Sequence, residues 1–160
     1  MKRKLWLTTM TLLLSLSAAA QNICLGERIP DIQVASTIGK PLDNISTDYV
    51  CLVFFHSESA PCVEAVNSLV GQISRYANAM SVVLLTRELR EQKERALSPY
   101  AKDNVTVAFD RDGRTFDNFG IRYVPFCVIY DGKRRKAQWI GSIQQLDQSR
   151  LKSIITQKPK

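Results

Sequence analysis

The sequence predicts an α/β domain in three layers, with a central mixed β-sheet, helices on both faces and an N-terminal β-hairpin extension. Three observations point there. Tyr49 to Phe55, Met80 to Leu85 and Val105 to Phe109 are short apolar runs rich in β-formers, as strands covered on both faces require. Segments with helical spacing separate and follow these runs. Phe126 to Ile140 reads as two further strands around an Asp131-Gly132 turn, so strands and helices alternate before a closing hairpin.

Each element has its own local reason. Gly26 to Asp31 is polar punctuation carrying Pro30, and the alternating run Ile32-Gln33-Val34 follows it. With Ile38-Gly39-Lys40-Pro41 as a turn, this opening predicts the hairpin. After the Tyr49–Phe55 strand, Val63, Val66, Leu69, Val70 and Ile73 recur at helical spacing from Pro61 onward. Glu88 to Ala101 predicts a charged helix, with Glu91 and Arg95 paired on its solvated face. Asp110 to Gly113 is a loop. Strands over Phe126–Tyr130 and Ala137–Ile140 precede a last helix capped by Asp147, with Leu151, Ile154 and Ile155 facing inward.

Composition excludes several classes. The chain has 160 residues, 45% hydrophobic and 23% charged, which is globular and unlike a disordered segment. One His and four Cys with no C-x-x-C pair supply no zinc finger, and no metal or other cofactor is expected. The net charge of +7 raises a nucleic-acid reading, but its distribution argues against one. Residues 1–20 run from Lys2-Arg3-Lys4 through an apolar stretch to Ala18-Ala19-Ala20, the pattern of a secretory signal peptide. The stretch is too short for a membrane anchor, since spanning the hydrocarbon needs about 20 apolar residues. Lipidation of Cys24 is disfavoured because Gln21, Asn22 and Ile23 precede it. Removing residues 1–20 leaves a single domain, 21–160, of charge +4, with no nucleic-acid footprint and no stable membrane anchor. The expected location is periplasmic or secreted, where disulfides persist.

The segment Phe54-Phe55-His56-Ser57-Glu58-Ser59-Ala60-Pro61-Cys62 is a core strand running into a helix start. In that context it resembles the active-site motif of the thioredoxin superfamily. Tyr123-Val124-Pro125-Phe126, followed by Asp131-Gly132, is similar to that family's cis-proline loop and hairpin. Gly26, Pro30-Asp31, Gly39-Lys40 and Trp139-Ile140-Gly141 resemble the exported bacterial TlpA/ResA-type branch. The resemblance runs from Gly26 to about Ile155 and implies a thiol–disulfide oxidoreductase with a protein or peptide partner, engaged through a mixed disulfide.

The resemblance also exposes a departure. The family carries C-x-x-C at the helix start, where the dipole and free amides favour the thiolate of the first Cys. Here the motif is S-x-P-C: Ser59 replaces the nucleophile and Cys62 is the second position. A hydroxyl does not ionise usefully there and forms no disulfide, so Ser59 is expected to cap the helix. Cys62 is the candidate thiol, able to form a mixed disulfide but not to resolve it alone. Two further departures agree with a degenerate site. Tyr49 to Phe55 lacks the family's buried acid, and Glu58 stands where an aromatic residue is usual, its charge opposing a thiolate.

The remaining candidates are read in the same way. A cis bond before Pro125 would expose the Val124 backbone to an extended partner, the role the resemblance implies; a structural turn proline is the alternative. Cys51 and Cys127 are most simply core thiols. Sharper alternatives are a Cys51–Cys127 disulfide, on strands that the resemblance places side by side, and Cys127 resolving Cys62. Cys24 is the candidate mobile or intermolecular thiol. His56, the one histidine, is expected as a packed strand-end residue that could also tune Cys62. A copper-binding role would want two close cysteines and a distant His.

Three functions are therefore in play. One is monothiol redox chemistry through Cys62, and another is a binding module that lost catalysis. The third is a peroxiredoxin-like peroxidase, matched by Ser59-x-x-Cys62; against it, Phe55 stands where the proline is expected, and the expected arginine falls near Pro125, with Arg122 only close by.

Overall fold

In the computed structural model, which describes residues 22–157, the apolar runs become the inner strands of one six-stranded sheet. The segment read as a signal peptide, 1–20, lies outside the described residues. The chain runs β1 (Ser36–Ile38), β2 (Tyr49–Phe54), α1 (Ala60–Ile73), β3 (Met80–Thr86), α2 (Arg90–Leu97), β4 (Val105–Phe109) and α3 (Arg114–Asn118). It continues through β5 (Phe126–Asp131) and β6 (Ala137–Gly141) to α4 (Gln148–Thr156). The strand order is β1-β4-β3-β2-β5-β6. The three strands β2, β3 and β4 are parallel, and β1, β5 and β6 are antiparallel to their neighbours.

Every residue of β2, β3, β4 and β5 is buried, as unbroken apolar runs demand. Alternate residues feed opposite cores, because successive strand side chains point to opposite faces. Tyr49, Cys51 and Val53 join one cluster with Val66, Leu69 and Ile73 of α1, Leu97 of α2, and Leu151 and Ile154 of α4. Val50, Leu52 and Phe54 join the other, covered by Phe116 of α3, by Phe119 and Ile121, and by Ile23 and Ile29 from the amino end. Phe54 meets Phe116 edge-on at 5.0 Å between centroids, a favourable aromatic geometry. The three layers are thus helices, sheet, and a thinner layer built from α3 and the amino-terminal segment.

Several local expectations need correction. The opening is not a hairpin: β1 is a single strand that pairs with β4, setting Ser36 opposite Phe109 and Ile38 opposite Val107. Ile32 and Val34 are half-buried against the second core instead, so burial rather than pairing uses their alternation. The charged helix is shorter than Glu88–Ala101, since the chain tightens to a 3₁₀ turn at Ser98–Tyr100 where Pro99 ends the α-helical ladder. Its intrahelical ion pair is Arg90–Glu94 at 2.6 Å. The helix α3 was not legible, being only five residues and entered through Gly113 at φ +72°.

The β5–β6 turn is longer than the Asp-Gly pair suggests. Asp131 Oδ1 accepts the amides of Lys133 and Arg134 at 2.8 and 2.9 Å, and Arg135 holds the left-handed conformation at φ 57°. Gly132 is required for space, because a Cβ there would stand 2.3 Å from the Thr47 carbonyl oxygen. Asp147 caps α4 as expected, accepting the Arg150 amide at 2.7 Å.

Candidate functional site

The register of the sheet brings three separate stretches to one edge. Phe54, the last residue of β2, lies opposite Leu85 of β3 and Phe126 of β5. The loop 55–59, the β3 exit at Glu88 and the turn before Phe126 therefore converge. This is the crevice outside the carboxyl ends of parallel strands, where α/β sheets place their ligands.

At the entry to α1, Ser59 occupies the N-cap position with extended backbone (φ −87°, ψ 109°), and Pro61 sits in the first turn. Its carbonyl accepts the Val63 amide at 3.0 Å, but its hydroxyl makes no capping hydrogen bond. The expected side-chain cap is therefore absent: the backbone alone starts the helix. Three residues on, one helical step turns Cys62 inward. Its thiol is completely buried in the first core cluster, beneath the half-buried Ser59.

The side chain that organises this edge is one that sequence reasoning missed. Glu88 accepts the Ser57 amide at 2.9 Å, the Ser57 hydroxyl at 2.6 Å and the Thr86 hydroxyl at 2.8 Å. Its side chain is only 7% exposed. Burial alone would raise its carboxyl, but hydrogen bonds from Ser57 and Thr86 outweigh that, and the carboxyl lies below its ordinary value. An acid two residues beyond an apolar strand reads as an ordinary helix-entry residue. Only the parallel pairing of β2 with β3 reveals that it faces Ser57, 31 positions away.

Charges around Glu88 are compensated. Lys93 of α2 bridges Glu58, by a short hydrogen bond, and Glu88, at 3.6 Å. The Lys93 hydrogen bond and charge hold the Glu58 carboxyl below its ordinary value. Glu58 is therefore a paired charge, whereas the sequence suggests a free one. His56 departs from its expectation as a packed residue, since its side chain is 51% exposed. Its Nδ1 accepts the Glu58 amide at 3.2 Å and stands 3.8 Å from Glu88.

Across the edge, the Val124–Pro125 peptide bond is cis. Beside it a cleft of about 200 Å³ is lined by Phe55, His56, Arg87, Ile121, Arg122 and Tyr123. Arg87 lies 4.5 Å over the Phe116 ring and pairs with Asp117 at 2.8 Å. Tyr123 is 56% exposed and stands edge-on to Phe126. Arg122 is exposed, and no carboxylate among the described residues pairs with it. A larger cleft of about 570 Å³, between residues 32–43 and the loop around Asp110–Arg114, contains none of these groups.

The other cysteines are separate from this edge. Cys51 and Cys127 are buried and face each other, while Cys24 is exposed. Cys127 therefore meets Cys51, and not Cys62, in the core. Among the described residues no cluster of three or more His, Cys, Asp or Glu side chains could hold a metal ion. No helix among them is long and apolar enough to cross a membrane.

No protein-family model matches the sequence, and no curated protein does. Solved structures do. A thioredoxin-like protein from Aeropyrum pernix superposes with a TM-score of 0.57 at 19% identity, over 71% of this chain and 80% of that one. StoA from Bacillus subtilis gives 0.58 at 15% identity, over 80% and 98%. The exposed lipoprotein thioredoxin of Streptococcus pneumoniae gives 0.59 at 14% identity, over 73% and 90%. The fold is thioredoxin-like, and its helix start and cis-proline turn frame the edge just described.

Proposed function

We propose that this chain is an exported thioredoxin-fold binding module, which holds an extended peptide segment of a partner protein in the cleft beside Val124 and Pro125. The observation that carries this reading is the contrast at the α1 entry: Cys62, the one motif thiol, is completely buried, and the less buried position three residues earlier is Ser59, which has no thiol. Thiol–disulfide exchange requires an accessible thiolate, and neither group offers one. The cleft, in contrast, is open and carries an aromatic anchor in Tyr123, with Arg122 and His56 at its rim. Aromatic and arginine side chains at a partly apolar recess favour an acidic, extended segment. Export by residues 1–20 supports a periplasmic or extracellular partner.

The second reading is monothiol redox chemistry, in which opening of α1 exposes Cys62 to form a mixed disulfide. Its support is the likeness in fold to structures described as thioredoxin-like or thioredoxin. The same burial removes the accessible thiol that peroxide reduction would need.

Two measurements separate the readings. Insulin reduction by dithiothreitol is expected to proceed equally with wild type and Cys62→Ala; a ten-fold faster reaction with wild type alone establishes the redox reading. Titration with reduced, carboxymethylated α-lactalbumin, a permanently unfolded acidic chain, is expected to shift the amide resonances of residues 121–124 and of Phe126. Tyr123→Ala should weaken that binding about ten-fold. Unmoved resonances defeat the binding reading.

A further inference from the structure

Two thiols face each other on adjacent strands beneath this edge. The sulfurs of Cys51, on β2, and Cys127, on β5, are 3.2 Å apart, and both residues are fully buried. Cys51 lies opposite Ile129 and Val53 opposite Cys127, so the two cysteines are diagonal neighbours on one face of the antiparallel ladder. They are 76 positions apart in sequence, and theirs is the one sulfur pair in contact among the described residues. Hydrophobic packing alone does not require two thiols to converge; any pair of small apolar side chains would fill that space.

We infer that Cys51 and Cys127 are the disulfide-forming pair of this chain, joined across the β2–β5 ladder when the protein folds in the presence of a low-molecular-weight disulfide. The thiolate of one cysteine attacks a sulfur of the small disulfide and expels one small thiol. The second cysteine then displaces the other from the mixed disulfide. Two protein S–H bonds are lost and one S–S bond forms; the two electrons and two protons leave on the two small thiols. The sulfurs close from 3.2 Å to about 2.05 Å. Diagonal neighbours on paired strands generally have Cα atoms about 7–8 Å apart, at the upper end of the disulfide span, so closing the bond is accompanied by a local backbone adjustment of β2 and β5.

Timing follows from burial. In the folded chain, desolvation and the neighbouring Cys51 sulfur push the Cys127 thiol well above its ordinary value, so it stays protonated and inert. Exchange takes place before the strands have closed, and the finished bond is shielded from reductant. Cys24 is exposed and unpaired among the described residues, and Cys62 lies in the core without a sulfur partner there. In the folded chain neither has a sulfur within reach, so among the described residues the Cys51–Cys127 link is the one the fold accommodates, and the inference does not depend on whether Cys62 reacts.

The wild-type chain, refolded from denaturant with oxidised and reduced glutathione, tests this directly. The product is alkylated under denaturing conditions and digested with trypsin and a glutamate-specific protease. Glu58 separates Cys51 from Cys62, which trypsin alone leaves on one peptide. The expected result is two alkylated cysteines, Cys24 and Cys62, and a peptide joining Cys51 to Cys127. Dithiothreitol in the refolding buffer should remove the link and lower the urea midpoint; Cys127→Val should remove both the link and this dependence. Four alkylated thiols, or a link through Cys24 or Cys62, overturns the inference. Should Cys127→Val not fold, the wild-type peptide map decides alone.

Discussion

The carboxylate of Glu88 accepts both the backbone amide and the hydroxyl of Ser57, at 2.9 and 2.6 Å, and so ties the end of β3 to the loop that launches α1. Because the Thr86 hydroxyl donates to the same carboxylate, removing it leaves several part-buried donors without their acceptor. Glu88→Ala is therefore expected to lower stability by about 2–3 kcal/mol, and Glu88→Gln, which keeps one acceptor oxygen, by about 1 kcal/mol. Urea unfolding monitored by Trp fluorescence measures both. A loss below about 0.5 kcal/mol for Glu88→Ala would show that the loop holds its place without this acid.

The same contact sets an acid limb. Glu88 titrates below its ordinary value of 4.5 in the folded chain, so the folded state takes up that proton less readily than the unfolded state does. Its contribution is complete above about pH 4.5 and is lost as pH falls through the lower folded value. The stability difference between wild type and Glu88→Gln should hold steady from about pH 7 to 5.5 and shrink on further acidification. A difference that grows toward low pH reverses the sign and defeats the assignment.

Two helix starts that look alike in sequence should respond differently to the same truncation. Asp147 makes a side-chain cap to Arg150, so Asp147→Ala should cost about 1 kcal/mol, with Asn restoring most of it. Ser59 makes no such bond, so Ser59→Ala should stay within about 0.5 kcal/mol of wild type. Equal losses at the two positions, measured by thermal or urea unfolding, would contradict the geometry of the α1 entry.

Restoring the absent thiol provides a gain-of-function test. Ser59 stands at a helix N-terminus, and the nearby Glu58 charge is neutralised by Lys93, so a thiol at position 59 would be favoured as thiolate. Ser59→Cys is expected to accelerate dithiothreitol-driven insulin reduction at least ten-fold over wild type, and Ser59→Cys with Cys62→Ala should lose most of that gain. No acceleration in a folded Ser59→Cys protein means that more than one residue separates this site from a dithiol enzyme.

The strands β2 to β6, most helices and the α4 cap were determined by the sequence alone, because those features depend on neighbours within a few positions. Tyr49–Phe54 must be a covered strand, and Asp147 must stand at a helix start, whatever the rest of the chain does. The serine at position 59 was equally plain, and it already weakened the case for a dithiol enzyme. Tertiary structure alone decided the rest. It set β1 against β4 instead of into a hairpin, turned Cys62 fully inward, and left His56 at the surface. It also carried Glu88 across to Ser57 and Cys51 against Cys127, contacts spanning 31 and 76 positions. The physical reason is range: periodicity and capping act within a turn or a strand, whereas sheet register fixes which distant side chains share a face and which of them meet.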